Sequence, residues 1–402
     1  MNNTRPDYDA VIIGGGIHGA GAAQACAAAG YRCLLVEKNN WGAATSSKSS
    51  KLLHGGLRYL QTGQLKLVYE CLHERERLLR YAPKLAHINW FYIPVYRQTR
   101  FRPWKILAGL SLYRLLSGDW FGHGAFRIIR KRDWQHLHGL DTRDLQAVFA
   151  YQDAQTDDRL LTMAVKNSAR SLGTDCWSAA EFISATRHDN GYTCTIQHEA
   201  RLKQISSTMV INATGPWVND TIERCNSSQQ LPMECVQGTH LVLEQQISDA
   251  CFYLEAPQDG RAIFVLPWYG KTLLGTTETA FHDTPDNTRP TQTEIDYLLD
   301  TLRHYFPQAD TRIEQAFSGL RVLPQDNHRA FTRSRDTRYL DDHGLLSLYG
   351  GKLTAYRATC EKLLPWLQQY CGKRTAVADT RTLPLYFPED ATSADIARDQ
   401  SR

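Results

Sequence analysis

None of the ten cysteines of this 402-residue chain forms a C-x-x-C pair, so no structural zinc site is expected. Several of those cysteines lie in apolar runs, which reads as reduced, buried thiols in a cytoplasmic protein. No basic-then-apolar leader precedes the first strand. No stretch approaches the roughly 18 uncharged apolar residues that would cross a bilayer. Internal repeats and low-complexity tracts are also missing. These absences leave a soluble or surface-bound globular protein, long enough for two domains and a sizeable core.

The charge is uneven. Between Trp90 and Gln135, nine Lys/Arg residues stand against Asp119 and Asp133, a net of +7 in a chain whose total is +4. Trp90, Phe91, Tyr92, Phe101, Trp104, Trp120, Phe121 and Trp134 are interleaved with them, around a helical stretch Trp104 to Leu116. Basic residues among aromatics suit a membrane surface, where cations meet anionic lipid and indoles sit at the headgroups. The same segment also reads as a helix with its apolar face inward and a solvated basic face. No nucleic-acid partner is expected.

The first forty residues carry the most specific pattern. Tyr8 to Ile13 reads as a buried strand, an alanine-rich helix follows to about Ala29, and Arg32 to Glu37 makes a second strand. Between strand and helix stands G-x-G-x-x-G at Gly14, Gly16 and Gly19. Gly14 permits the tight turn, Gly16 a close backbone approach to a pyrophosphate, and Gly19 close packing of helix on sheet. The helix N-terminus offers free N–H groups to phosphate, and Glu37 is placed to accept from an adenosine ribose. Strand, helix, strand and acid in register predict a dinucleotide site, with NAD and FAD both open.

Further along, helices are expected over Leu65 to Tyr81, about Asp153 to Leu172, Gln292 to Tyr305, and Thr354 to Tyr370 as one amphipathic helix. Strands are expected around the turn Asn190-Gly191, at Thr208 to Asn212, near His240–Leu243, Ala262–Leu266 and Thr272–Leu274, and at Leu345 to Leu348. The fold class is therefore α/β, a discontinuous Rossmann-like nucleotide-binding domain with a mostly antiparallel β-sheet substrate domain. The first takes 1–85, 150–235 and 318–385, the second 86–149 and 236–317, and 386–402 is a disordered tail.

A second block, Thr45 to Leu60, contains Thr45-Ser46-Ser47, two further serines, and His54-Gly55-Gly56-Leu57-Arg58-Tyr59. Small hydroxyls donate to phosphate and ribityl oxygens without crowding them. Gly55-Gly56 lets backbone lie against a flat ring, and His54, Arg58 and Tyr59 add a titratable group, a fixed cation and a phenol. This block closely resembles FAD-dependent glycerol-3-phosphate dehydrogenase, of the D-amino-acid-oxidase-like flavoproteins. The likeness continues in Asn212-Ala213-Thr214-Gly215-Pro216-Trp217, Gly238-Thr239-His240, Leu274-Gly275-Thr276-Thr277-Glu278, Ser318-Gly319-Leu320-Arg321, and Tyr349 through Arg357.

The resemblance implies FAD as cofactor. It places Gly14, Gly16, Gly19, Glu37, Thr45, Ser46, Ser47, His54, Gly55, Gly56, Ala213, Gly215, Gly351, Lys352, Leu353 and Thr354 around it. Gly350-Gly351-Lys352, where a strand hands over to a helix, would face the flavin pyrimidine. Arg58, Arg321 and Arg333 would clamp an anionic substrate, with Tyr59 and Thr276 beside them. Imidazole suits removal of a hydroxyl proton at neutral pH, so His240 is the expected base and His54 is expected near the ring, although a structural role is open for either. Oxidation of glycerol 3-phosphate to dihydroxyacetone phosphate, with electrons passed to a membrane quinone, is the implied reaction. A 2-hydroxy acid or amino acid as substrate, or a non-catalytic FAD-binding partner subunit, are the alternatives.

Two departures stand out. The family usually follows the arginine with proline, whereas Arg321 precedes Val322-Leu323-Pro324, so a different loop is expected there. Members also carry a helical C-terminal domain after the Gly-Gly-Lys helix, whereas this chain ends at Arg402, so a related protein with another substrate is plausible.

Overall fold

The computed structural model describes residues 5–118, 125–137, 139–325 and 337–386, with residues 58, 61 and 62 described by backbone alone. Arg333, Trp120, Phe121, the side chain of Arg58 and the tail from 387 onward therefore lie outside the described residues.

Two sheets organise these residues. In the first, Arg338–Asp342, Leu345–Tyr349, Arg201–Asn212, Tyr8–Ile13, Cys33–Val36 and Asp175–Trp177 lie side by side in that order. Its centre is parallel: Ile12 sits opposite Leu35 on one side and Ile211 on the other. Strand Arg201–Asn212 has two characters, because its first half pairs antiparallel with Gly191–His198 while its second half joins the parallel core. Alternation along Tyr8–Ile13 sorts the layers. Ala10 and Ile12 face helices Ile17–Ala28, Asp158–Ser171, Tyr356–Glu361 and Leu364–Cys371; Val11 and Ile13 face Phe182, Tyr192, Ile196 and Ile222. Strands buried on both faces read as continuous apolar runs, which is why Asp9-Ala10-Val11-Ile12-Ile13 shows no polar alternation.

The second sheet is antiparallel apart from a short parallel contact of Cys251 and Phe252 with Phe91 and Tyr92. Strands Ala86–Tyr96 and Leu145–Thr156 form a long antiparallel pair in it, and Met233–Leu243 pairs with Ile313–Pro324 over its whole length. Helix Gln292–Tyr305 closes one face through Leu298, Leu299 and Leu302. Three of these strands straddle the breaks drawn from sequence, since Leu145–Thr156, Met233–Leu243 and Ile313–Pro324 each belong whole to this sheet.

Three local expectations are corrected. Residues 153–156 finish a strand, and the following helix begins only at Asp158, capped by Asp157 accepting from the Leu160 N–H at 3.0 Å. The last helix is two, Tyr356–Glu361 and Leu364–Cys371; Pro365, without an N–H, stands in the first turn of the second. Around Val322 there is no loop, because the strand runs through Arg321 and Val322 to Pro324.

The basic-aromatic segment has an inward apolar face, Leu110 and Tyr113 with Ile106 and Leu116 packed on the same cluster, and an outward face that is apolar as well as basic. Helix Pro103–Ser117 buries only Leu110, Tyr113 and Ser117, while Trp104 is 66% and Leu115 57% exposed. Leu107 and Leu112 are exposed too, as are Leu65 and Tyr69 on the neighbouring helix Leu65–Tyr81. Among the described residues no helix is long and apolar enough to cross a membrane. All ten thiols are free.

Candidate active site

A cavity of about 510 Å³ opens at the carboxyl ends of the central parallel strands, where dinucleotides bind in open α/β sheets. Its lining includes Gly14, Gly16, Glu37, Thr45, Ser46, Ala213, Gly215, Arg321, Gly351, Lys352 and Leu353, eleven of the residues expected from sequence. Gly14 has φ +105°, and a Cβ there would lie 2.7 Å from the Ala213 carbonyl oxygen. A Cβ at Gly19 would run into the Gly14 carbonyl oxygen, so this glycine sits behind the cavity and lets the helix close on the turn.

The polar groups of the turn are arranged for an anion and a ribose. Glu37 accepts the Gly15 N–H at 2.7 Å and the Asn39 N–H at 2.8 Å, which holds its carboxylate at the rim. The Ser46 hydroxyl oxygen accepts the Ile17 N–H at 2.9 Å, leaving its own hydrogen to donate. Thr45 is tied to the Leu320 carbonyl at 2.8 Å. Ser47 is a correction: it is buried, and its hydroxyl donates back to the Ala43 and Ala44 carbonyls at 3.2 Å. It shapes the turn and does not line the cavity.

The segment from Thr45 to Leu60 threads the whole site. Lys51 anchors it from beneath, its Nζ 2.6 Å from Asp158 and 2.7 Å from the Ser47 carbonyl. Ser50 places its hydroxyl 2.9 Å from His240 Nε2. His54 follows, its carbonyl accepting from the Thr354 hydroxyl at 3.5 Å; Thr354 is buried and braces this turn instead of lining the cavity. Gly55 donates its N–H to Asp153 at 3.3 Å, and Gly56 turns left-handed against the Tyr59 ring. Lys352 lies 3.4 Å above the centroid of that ring. His54, Gly55, Gly56, Tyr59, Lys352 and Thr354 are thus one cluster, although four of them are some fifty residues deep in the chain and two are near its end.

His240 heads a second cluster. It is buried on strand Met233–Leu243, stacked on Phe317 at 5.2 Å, and its Nδ1 is buried without a hydrogen-bond partner. Burial, then the nearby cations Arg321 and Lys51, push its pKa well below the ordinary imidazole value, so the ring is neutral at neutral pH. Arg321 donates to Thr276 Oγ1 at 3.0 Å and lies 3.5 Å from Glu278. Thr277, its neighbour in the chain, is spent on Glu294, a capping-box residue that also receives Gln237 and Thr239.

Some cavity residues were not singled out from sequence. Lys48 and Trp217 lay inside quoted motifs and could have been read as cavity walls; His18 sits between two fingerprint glycines, where any residue type fits the pattern. Among the described residues no cluster of His, Cys, Asp and Glu is arranged to hold a metal ion.

A tight glycine turn opening a buried helix, an acid closing the next strand and a second antiparallel sheet define a dinucleotide-dependent oxidoreductase fold. The family model described as FAD dependent oxidoreductase matches residues 9–357, and the chain belongs to that family. It is 32% identical over 406 residues to a glycerol-3-phosphate dehydrogenase of Synechocystis, an alignment covering 94% of this chain and 73% of that protein. It is 34% identical over 369 residues to a D-erythritol 1-phosphate dehydrogenase of Brucella abortus, covering 88% and 72%. The glycerol-3-phosphate dehydrogenase of Bacillus halodurans, solved with FAD, superposes with a TM-score of 0.74 at 24% identity over 97% of this chain and 70% of that one. The enzyme is an FAD-dependent oxidoreductase, and the glycine cradle, the Glu37 carboxylate and the free Ser46 hydrogen fit the group.

Proposed function

We propose that the enzyme oxidises the secondary alcohol of glycerol 3-phosphate to dihydroxyacetone phosphate. The observation that carries this reading is the Thr45–Leu60 segment, which joins the cofactor cradle through Ser46 to His240 through Ser50. Bound FAD supplies a hydride-accepting ring; the chain's own residues do the rest. Arg321, braced by Thr276, offers a planar guanidinium to a phosphate, with Arg58 and Arg333 as partners in the clamp. Neutral His240 takes the hydroxyl proton. With Ser50 accepting from Nε2–H, the lone pair is on Nδ1, the nitrogen that no group among the described residues satisfies. Lys352 lines the cavity beside Gly350 and Gly351, its ammonium over the Tyr59 ring, and positive charge on that wall favours negative charge developing on a bound ring. His54 lies beside Tyr59, their ring centroids 6.1 Å apart.

The acceptor that follows is proposed to be a membrane quinone, with the protein peripheral at the inner face of the cytoplasmic membrane. Trp104, Leu107, Leu112 and Leu115, flanked by Lys105 and Arg114, supply the apolar and cationic contacts that such a surface needs.

A second reading is favoured by the 34% identity to a D-erythritol 1-phosphate dehydrogenase: a longer polyol phosphate held by the same arginines. Anaerobic mixing separates the readings. Glycerol 3-phosphate should bleach the flavin absorbance. Bleaching by erythritol 1-phosphate alone would move the substrate to the longer polyol, and bleaching only by 2-hydroxy acids or amino acids would overturn the phosphate clamp. No bleaching by any of them, with FAD bound, would make the chain a non-catalytic partner.

A further inference from the structure

Helix Ile17–Ala28 is buried at every position except one. Eleven of its twelve residues are sealed between the sheet and the other helices, and His18 alone is partly open. Its opening is into the cavity, which it lines. The imidazole packs beneath Gly351: a Cβ at Gly351 would lie 2.8 Å from His18 Cε1 and 3.0 Å from Nε2. That Nε2 is buried and has no hydrogen-bond partner. An unpartnered buried nitrogen is uncommon, because a donor or acceptor taken from water and left unsatisfied destabilises the fold. A histidine kept there, in the first turn of a helix otherwise built of Ala, Gly, Ile, Cys and Gln, calls for a partner that the described residues do not supply.

The position says which part of a bound dinucleotide would supply it. On one side of the glycine turn, Gly15 abuts Glu37 and Trp41, the end that takes an adenosine ribose. The helix N-terminus, with Ile17 and Ser46, is the pyrophosphate position. His18 lies on the other side, against Gly351 and next to Lys352 in the cavity wall. We propose that the His18 imidazole is a cofactor-binding residue that hydrogen-bonds the ribityl–flavin half of FAD and makes no contact with the adenosine-diphosphate half. Burial keeps the ring neutral, its pKa pulled down to about 4, so one nitrogen donates and the other accepts, which matches hydroxyl or carbonyl partners better than a phosphate. The inference rests on FAD binding and not on the substrate reading.

The test is equilibrium binding to the apoprotein. FAD and ADP are titrated separately into wild type, His18→Leu and His18→Asn, with flavin fluorescence quenching for FAD and calorimetry for ADP. His18→Leu should raise the FAD Kd roughly tenfold or more and leave the ADP Kd unchanged, while His18→Asn, which retains a donor and an acceptor, should stay within about threefold of wild type for FAD, tenfold being the loss of one ordinary hydrogen bond. An unchanged FAD Kd in His18→Leu overturns the proposal. So does an equal loss for FAD and ADP, which would mean a distorted helix N-terminus. Should His18→Leu not fold, 15N-histidine spectra of the wild type decide: FAD, and not ADP, should shift one imidazole signal that His18→Asn lacks, and no such shift refutes the contact. FAD binding by the wild type is the internal control, so a failure of the family's cofactor chemistry would be seen separately.

Discussion

Lys51→Met should destabilise the apoprotein severely, and a second substitution should restore stability without restoring the cofactor site. Lys51 and Asp158 are 7% and 0% exposed and meet at 2.6 Å. The Asp158 carboxylate also accepts the Ser49 N–H at 2.9 Å, and Lys51 donates to the Ser47 carbonyl, so the pair fixes the backbone on both sides of Ser50. Burial pushes the Asp158 carboxyl up and the Lys51 ammonium opposes that. Deleting one member leaves the other charge buried and uncompensated, at about 3–5 kcal/mol, whereas replacing both by apolar groups of similar volume is close to neutral. Asp158 also opens a helix, so its own removal forfeits a further ~0.3–1 kcal/mol of charge–dipole interaction. Urea unfolding should therefore show Lys51→Met weaker by about 3–5 kcal/mol and Lys51→Met/Asp158→Leu recovering most of it. FAD affinity should part company with stability. The double variant has lost the anchors of Ser47 and Ser49, so its Kd should rise at least tenfold, about 1.4 kcal/mol. A single variant losing less than about 1 kcal/mol, or a double variant that binds FAD like the wild type, would refute the reasoning.

Gly19→Ala should abolish FAD binding while leaving most helical circular dichroism, because relieving the collision with the Gly14 carbonyl must push the helix N-terminus off the turn; tight binding by this variant would show that the turn can absorb the shift. The folded-state pKa of His18 lies below its unfolded value, so the unfolded chain binds the extra proton as pH falls from 6.5 towards about 4 and stability is lost across that window. His18→Asn should remove roughly 2–3 kcal/mol of the loss between pH 7 and pH 4, with His240 continuing to act in the same direction, and an identical pH dependence in chemical denaturation would contradict it. Wild-type protein should sediment with anionic liposomes at low salt and less at high salt, and Trp104→Glu/Leu115→Glu should weaken this by roughly tenfold or more, each buried side chain contributing about 1.5–3 kcal/mol; no sedimentation at low salt would remove the membrane surface.

The parts of the site made by short-range pattern were legible from sequence. The glycine turn, Glu37 and the Ser46 hydroxyl all belong to one βαβ unit and its following turn, where spacing alone fixes geometry. Long-range pairing was not. Nothing local ties Ser50 to His240 or Thr354 to the His54 carbonyl, and nothing in Thr45-Ser46-Ser47 says that the third hydroxyl turns inward. The long strands Ala86–Tyr96 and Leu145–Thr156 were missed because their inner halves are apolar on both faces and lack the period-two pattern. Pro365 was a visible break that the apolar periodicity around it concealed.

Asp153 shows why a charge is buried beside the His54–Gly56 turn at all. Gly55 has no side chain to be gripped, so its orientation is set through its backbone, here through the N–H that it donates to Asp153. A carboxylate has two oxygens and room for several donors, and here it receives Arg75 at 2.9 Å, the Tyr113 hydroxyl at 3.1 Å and Gly55 at 3.3 Å, from two helices and a loop. An apolar group in its place would fill the volume and specify none of these directions. The desolvation of the Arg75–Asp153 pair is therefore the cost of fixing a glycine. Tyr113 is one of the three buried residues of helix Pro103–Ser117, and its hydroxyl also abuts the Gly55 backbone, where a Cβ would collide with it. The helix that turns its tryptophan and leucines outward thus shares one buried carboxylate with the turn leading through Gly56 and Tyr59 to Lys352, and a displacement of that helix reaches this turn both through that carboxylate and through the Tyr113 contact with Gly55.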